Sequence, residues 1–245
     1  MRQKTQWFCG IALLAVVAVP AMAQETETRD LSGVWAPYRG REFAPPRPTE
    51  RKLKPEYQKQ YDELRAKISA ASERGEQYAV KGLCEPYGMP SMMQVAVYPT
   101  EIVQTPDKVV IIGEAFSEVR HIYLGKEQWP LEDVAPGYYG RSVGHWEGDT
   151  LVVDTVGIED DILGYQNVPH SSQMHITERI RRMSPEILHD QITIDDPVVM
   201  EEPYTYTLAY SLLPEDYEMV EFVCENNREY IDENNIVRMI LKDGK

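Results

Sequence analysis

Two histidines stand five residues apart in the segment PHSSQMHITERI, residues 169–180, with a glutamate three residues beyond the second. His170, His175 and Glu178 are residue types that exchange protons. A carboxylate held among apolar groups has a raised pKa and can act as an acid or a base near neutral pH. The segment therefore predicts a catalytic group in which His170 or His175 moves a proton and Glu178 orients or assists the imidazole.

Side-chain alternation limits how these residues can meet. Residues five apart in a regular strand face opposite sides, so His170 joins His175 only if its loop folds back. His175 shares a face with Arg179 and Arg181, whereas Glu178 shares the other face with apolar residues. One arrangement places the apolar face inside and His175 in water. In the other, functional arrangement His170 lies at the rim of a cavity or Glu178 points inward.

An arginine joins this set from the segment SEVRHIYL. Arg120 has the parity of Ile122 and Leu124, which predicts an inward-facing guanidinium. A buried arginine requires a carboxylate partner or an anionic ligand. Two alternatives stay open: a core ion pair with Glu178 or Glu114, or contact with a carboxylate, phenolate or enolate oxygen of a ligand. In the second case Arg120 would stabilise negative charge that develops in a reaction.

The remaining site residues are aromatic rings and histidines on other predicted strands. Tyr123 and Trp146 are expected in the core, at positions that a barrel pocket could also use. We expect four residues to bind a ligand: Tyr123, His121, His145 and Trp146.

Metal and cofactor signals are weak. The histidines could converge on zinc in space, but the sequence has no His-x-x-x-His helix and no Cys-x-x-Cys pair. No glycine-rich phosphate loop or dinucleotide fingerprint opens a helix. We therefore predict neither a metal nor an organic cofactor.

Period-two alternation dominates the chain that must position these groups. YTYTLAYSLL alternates most clearly, GHWEGDTLVVDTVG reads as a hairpin, and MVEFVC and IVRMIL read as later strands. Earlier, LKPEYQKQYDELRAKISAASERG carries an apolar stripe at helical spacing, with Pro55 near its start and Gly75 past its end. The sequence predicts a mainly β fold: an antiparallel meander of nine or ten strands that closes into a barrel or strongly curved sheet, with one N-terminal amphipathic helix packed on it.

The first residues have the features of a secretory leader. Arg2 and Lys4 precede an apolar run, and Ala21-Met22-Ala23 is a small-x-small cleavage pattern. The run is shorter than the ~20 residues of a spanning helix, so a retained membrane anchor is the less favoured alternative. We predict a signal peptide at 1–23, an extended segment with the first strand at 24–50, a helical segment at 51–80 and a barrel-like region at 81–245, as one domain. The protein is expected in the periplasm or secreted, without stable membrane insertion.

Charge and cysteine content narrow the class of partner. The formal net charge of −15 repels phosphate backbones, so nucleic acid is not an expected partner. Cleavage near Ala23 removes Cys9 and leaves Cys84 and Cys224. An even number of cysteines in an oxidising compartment favours a disulfide, and two buried thiols are the alternative. The bond would join the start of the folded core to its last strand.

Several motifs resemble one family. EIVQTP, GHWEGDTLVVDT, PHSSQMHITER and CENN occur in this order in a large family of exported bacterial proteins, most of them described as hypothetical, and the resemblance covers Asp30 to about Tyr230. The opening Gly-x-Trp is also similar to that of lipocalin-type, or calycin, barrels. These resemblances imply a barrel scaffold and an exported protein, and they imply no reaction.

Two functions follow from these patterns. The first is an exported enzyme, of lyase, isomerase or hydratase type, that uses acid and base chemistry in a barrel cavity on a small hydrophobic or aromatic molecule. The alternative is a lipocalin-like protein that binds such a molecule without turnover. The histidine, glutamate and arginine together favour the enzyme slightly, because retention of an apolar ligand requires fewer ionisable groups.

Overall fold

The structure, a computed structural model, describes residues 29–94, 97–160, 165–224 and 228–240. The predicted signal peptide at 1–23 and its predicted cleavage site lie outside the described residues. The strands and the helix within these ranges are β1 Gly33–Pro37, α1 Pro55–Glu73, β2 Thr100–Gln104, β3 Lys108–Gly113, β4 Glu118–Leu124, β5 Arg141–Glu147, β6 Thr150–Val156, β7 His175–Ser184, β8 Ile187–Asp195, β9 Tyr204–Leu212, β10 Glu229–Ile231 and β11 Val237–Met239.

The first nine strands form a closed barrel in chain order, and β1 pairs with β9 to close it. Strands β10 and β11 form a separate two-stranded sheet. The predicted fold, a mainly β barrel with one helix, is confirmed. No helix in the described ranges has the length and apolar content needed to cross a bilayer.

One pair of barrel strands departs from the predicted antiparallel meander. β4 and β5 run parallel, with Ile122 beside Ser142, while the other neighbouring pairs in the barrel are antiparallel. A parallel pair cannot be joined by a hairpin, because the chain must return to the end where it started. Residues 125–140 make this return, and they lie against the outer surface of β4.

The hairpin between β5 and β6 forms where the sequence predicts it. Glu147 pairs with Thr150, which leaves Gly148 and Asp149 as a two-residue loop. Gly148 has φ +63°, a conformation that glycine adopts without steric cost. This turn sets the register that places Ser142 and Thr155 opposite each other on the inner face.

Helix α1 lies against one part of the barrel surface. Pro55 is its first residue, and the chain leaves the helix at Arg74 and Gly75, as the sequence predicts. Ala71 is fully buried, and Tyr57 and Tyr61 pack against the core. Just before the helix, the Lys54 N–H donates to the Val199 carbonyl, which attaches this segment to the loop between β8 and β9.

The disulfide between Cys84 and Cys224 is confirmed, but its second cysteine is not on a strand. MVEFVC, residues 219–224, was predicted as a strand and that prediction is wrong. Instead of pairing with a strand, the segment contacts the side chains of other residues. Phe222 packs on Phe116 at 4.8 Å between ring centroids, and the Val220 N–H donates to the Glu114 carboxylate at 2.9 Å. Short apolar runs have strand-like composition in either setting, so composition did not separate the two.

Candidate functional site

The barrel interior contains an ion pair. Arg120 on β4 and Glu178 on β7 are 1% and 0% exposed, and Arg120 Nη1 donates to Glu178 Oε1 at 2.9 Å while Nη2 donates to Oε2. The inward orientation of both residues, and the first of the two alternatives for Arg120, are therefore confirmed. Two parallel hydrogen bonds between a guanidinium and a carboxylate form the strongest geometry for such a pair.

Two hydroxyl groups accept further hydrogen bonds from this arginine. Arg120 Nε donates to Ser142 Oγ at 3.1 Å, and Nη2 donates to Thr155 Oγ1 at 2.9 Å. Ser142 and Thr155 also contact each other, with 2.9 Å between their oxygens. Because Glu178 and the two hydroxyl groups surround its guanidinium, Arg120 has a structural role here and is not exposed to a ligand.

A second carboxyl group lies in the same interior. Asp190 on β8 is fully buried, and neither of its carboxyl oxygens has a hydrogen-bond partner within the described part of the chain. Burial raises the pKa of Asp190 well above its usual value and the charge of Glu178 raises it further, although Arg120 acts in the opposite direction. Burial also raises the pKa of Tyr210, whose hydroxyl donates to the Met93 carbonyl at 2.5 Å. The interior therefore holds the ion pair of Arg120 and Glu178 and, beside it, a carboxyl group whose protonated form burial favours.

The cavity beside Asp190 is small. Its lining includes the inner-face residues Trp35, Thr100, Asp190 and Tyr210. The volume inside it that the centre of a water molecule can occupy is about 10 Å³. This is about the space of one water. The substrate of the predicted enzyme would need a far larger space.

His175 lies on the outer face of the barrel, paired with Asp154 on β6. The hydrogen bond that His175 donates to Asp154 raises the pKa of His175, as do the charges of Asp154 and Asp195, and partial burial only partly offsets them. Burial acts to raise the pKa of Asp154, but hydrogen bonds from His175 and Gln128 outweigh it and the pKa is lowered. The contact thus favours the protonated imidazole beside the Asp154 carboxylate, and it holds His175 away from Glu178 and Arg120.

His170 lies elsewhere, at the end of the barrel. It is 8% exposed, and its Nδ1 is 3.2 Å from the Ser171 carbonyl oxygen. Its Nε2 has no partner among the described residues. The structure therefore brings Arg120 and Glu178 together but places His170 and His175 in two other locations, and the predicted proton-transfer group is not assembled.

The four residues expected to bind a ligand divide between two environments. His145 is exposed and contacts Glu147 at 3.3 Å, and Trp146 is half-buried against the core. Tyr123 was expected in the core but is 42% exposed, because its parity on β4 is opposite to that of Arg120. His121 stands beside it with the two rings stacked at 6.3 Å. Tyr123 and His121 both line a cleft on the outside of the barrel.

This outer cleft has a volume of about 680 Å³, within the range of small-molecule sites. Its floor is the outer face of β4 and its wall is the return connection to β5. The lining residues are Val119, His121, Tyr123, Lys126, Trp129, Val134, Ala135, Tyr139, Gly140 and Arg141. Trp129 is 55% exposed, so the cleft presents an aromatic ring to solvent.

The charge of the outer cleft is opposite to that of the whole chain. Lys126 and Arg141 line it, and no aspartate or glutamate is among its described lining residues. Arg141 lies over the Trp129 ring, 4.2 Å from its centroid, and its Nη1 donates to Gln128 Oε1 at 2.6 Å. Gln128 Nε2 in turn donates to Asp154 Oδ2 at 2.9 Å. Tryptophan, arginine and glutamine are therefore held in one arrangement at the cleft wall.

A buried carboxyl group supports the aromatic side of the outer cleft. Burial raises the pKa of Tyr139, and the charge of Glu118 and a hydrogen bond to it act in the same direction, so its hydroxyl stays protonated and donates to Glu118. Glu118 also accepts the Gly88 N–H at 2.8 Å. Tyr139 is thus anchored with its ring at the cleft and its hydroxyl directed to the core.

Sequence reasoning did not identify three residues: Asp190, Trp129 and Arg141. Asp190 has the parity of Leu188 and Ile192, so the alternation that placed Arg120 inside would also have placed this carboxyl there. Trp129 and Arg141 belong to an aperiodic connection and its end, where no pattern indicates which surface a side chain meets.

Within the described ranges, no three or more histidine, cysteine, aspartate or glutamate side chains form a group suited to a metal ion. No protein-family model matches the sequence, and no curated protein matches it either. The function therefore has to be argued from the geometry of the chain itself.

Proposed function

We propose that this protein binds a small, largely aromatic molecule carrying a negative charge, in the outer cleft and without turnover. The observation that carries the proposal is the lining of this cleft, whose described residues provide aromatic rings on both sides, two cationic side chains and no carboxylate. Aromatic faces bind planar apolar groups, and a guanidinium binds a carboxylate, sulfonate or phenolate oxygen. This is the binding function expected from the sequence, placed on the outside of the barrel.

Binding is favoured over catalysis because Glu178 and His175, two of the residues predicted to take part in proton transfer, are engaged elsewhere. Glu178 is paired with Arg120, and His175 is paired with Asp154. Catalysis requires an acid or base within hydrogen-bond reach of the reacting atom. The cleft needs none of these groups to hold an aromatic anion.

Export remains part of the proposal. The leader-like first residues and the resemblance to a family of exported proteins support it, and the disulfide is compatible with an oxidising compartment. Mass spectrometry that identifies the N-terminal residue of protein recovered from outside the cytoplasm tests export. The proposal requires cleavage near Ala23.

Anilinonaphthalene sulfonate, an aromatic anion whose fluorescence rises on binding, tests the cleft. We expect 1:1 binding, weakened by Trp129→Ala and by Arg141→Gln. Loss of a hydrogen bond to a charged group costs about 1.5–3 kcal/mol, or about 10- to 100-fold in Kd. The uncharged phenylnaphthylamine should bind more weakly to the wild type, and Arg141→Gln should remove most of that difference.

Two matched variants control for surface effects. Tyr230→Ala removes an equally exposed ring on β10, and Arg179→Gln removes an exposed arginine from the outer face of β7. Both should leave probe binding unchanged. Equal affinity of Trp129→Ala and Tyr230→Ala for the probe would exclude the outer cleft as the site.

A further inference from the structure

A second small cavity lies where β7 begins, β8 ends and β9 begins. His170, Met174 and Met200 line it, together with Ile194, Tyr204 and Arg51. The two methionines are buried, at 2% and 5% exposure. The wall therefore combines one imidazole and two thioether side chains. The volume inside the cavity that the centre of a water molecule can occupy is about 10 Å³.

The hydrogen bond at one ring nitrogen determines the state of the other. A carbonyl oxygen can only accept, so the contact between His170 Nδ1 and the Ser171 carbonyl requires a proton on Nδ1. The Nε2 of the neutral ring then carries a lone pair, and the residues that the structure describes offer this buried atom no hydrogen-bond partner. An imidazole whose Nδ1–H donates to a backbone carbonyl has the arrangement found in metal-binding histidines.

The backbone around Ser171 and Asp196 holds the three side chains in place. The Ser171 carbonyl also accepts the Met174 N–H at 3.0 Å, so one oxygen orients both His170 and Met174. Fully buried Asp196 accepts the N–H and the hydroxyl of Ser171, at 2.6 and 2.8 Å. The Asp196 carbonyl accepts the Met200 N–H at 2.8 Å. The loops bearing the imidazole and both thioethers are thus tied to one residue.

A water molecule is a poor occupant for this cavity. A buried water needs about two to four polar partners. Around His170 Nε2 the wall is mainly hydrocarbon and thioether, and the Arg51 guanidinium is directed to Tyr61 Oη at 3.1 Å and Gln166 Oε1 at 3.3 Å. A soft cation, in contrast, finds a nitrogen lone pair and two sulfur atoms.

We propose that His170, Met174 and Met200 form a binding site for a soft monovalent metal ion, Cu(I). Thioether sulfur selects Cu(I) over harder ions, and imidazole is also a copper ligand. The neighbouring Arg51 charge repels a divalent ion more strongly than a monovalent one. The ligand set is neutral, so binding at this site requires no carboxylate or thiolate. The site is independent of the outer cleft.

Silver ion, which has the charge and softness of Cu(I) without its redox chemistry, is the first probe. The full chain should carry Cys9→Ser, because Cys9 is the one cysteine outside the disulfide. We expect calorimetry to give one Ag⁺ per chain, and Cu(I) to bind in competition with bathocuproine disulfonate under anaerobic conditions. Spectra of protein labelled at the methionine methyl groups should show the Met174 and Met200 signals shifting.

Volume-conserving variants separate this site from other methionines. Met174→Leu with Met200→Leu should weaken Ag⁺ binding by about 100-fold or more, since even loss of a residue that only supports a ligand costs about 10- to 100-fold. Met183→Leu, at an exposed methionine on β7, should change nothing. Unchanged affinity in the double variant, shifts confined to other methionines, or tighter binding of Zn²⁺ than of Ag⁺ would each overturn the proposal.

Discussion

Arg120 and Glu178 are 58 residues apart in sequence and form a two-bond ion pair inside the barrel, screened from solvent on all sides. Such a pair has two consequences. It makes each partner dependent on the other, because removal of one leaves an uncompensated buried charge. It also fixes β4 against β7 across the interior, which supports the outer face of β4 that forms the floor of the cleft.

Glu178→Gln is expected to lower the free energy of unfolding by about 3–5 kcal/mol, because Arg120 then has no counter-charge. Urea denaturation at pH 7 measures this. The double variant Arg120→Met with Glu178→Leu should recover most of the loss, since a buried ion pair is often replaceable by apolar groups. Arg181→Gln, which breaks the exposed pair with Asp149, should cost about 1 kcal/mol or less. Equal losses in the single and double variants would contradict the argument.

Asp190 should make the fold less stable as pH rises. Its pKa is raised in the folded state, so between the unfolded pKa of about 3.9 and the folded pKa the native protein binds more protons than the unfolded chain. Relative to Asp190→Asn, the wild type should therefore lose up to about 1.4 kcal/mol of unfolding free energy for each pH unit above pH 4, until the folded pKa is reached.

Urea denaturation of both proteins at several pH values gives that difference. Glu186→Gln, at an exposed carboxylate in the turn before β8, is the control and should differ from wild type by a constant amount. A difference between wild type and Asp190→Asn that does not change with pH would show that Asp190 is ionised in the barrel.

The His175 and Asp154 pair should stabilise the protein on the acid side of neutrality. The raised pKa of His175 means that its contribution is fully present below the unfolded pKa of about 6.5 and is lost as pH rises through the folded pKa. In an NMR titration of the imidazole, Asp154→Asn should lower the pKa of His175. Asp149→Asn removes a carboxylate that pairs with Arg181 further along β7 and should leave that pKa unchanged.

Loss of the disulfide should destabilise the fold. The bond joins cysteines 140 residues apart. On the chain-entropy account, closing a loop of this length lowers the entropy of the unfolded chain and so raises the free energy of unfolding by about 4–5 kcal/mol. The Cys84→Ser, Cys224→Ser double variant should unfold at a correspondingly lower urea concentration. Reductant should shift the midpoint of the wild type in the same direction and leave the double variant unaffected. A wild-type midpoint indifferent to reductant would contradict this.

Residue parity predicted the inner and outer faces of several strands correctly. Arg120 and Glu178 share parity with buried aliphatic residues, and both point inward. The inward face of β9 carries Tyr204, Tyr206 and Tyr210, as YTYTLAYSLL indicates. Parity is a local property of extended backbone, so it can be read without knowledge of strand order.

The location of the candidate site depended instead on strand direction, that is, on which neighbouring strands run parallel. The parallel arrangement of β4 and β5 forces residues 125–140 to return over the outside of the barrel, and that return creates the outer cleft. Neither Trp129 nor Arg141 stands in a periodic segment that would have indicated their meeting with Tyr123.

The amino-acid sequence alone indicated the mainly β class, a helix that the structure places at Pro55–Glu73, the partners of the favoured disulfide and the inward side of the strand that carries Arg120. These features follow from spacing and composition within short windows. Only the tertiary structure decided that the barrel is filled beside Asp190, that His170 and His175 are separated, and that the largest described cleft is external. Those outcomes depend on contacts between residues far apart in the chain, and no local pattern encodes which distant strands become neighbours.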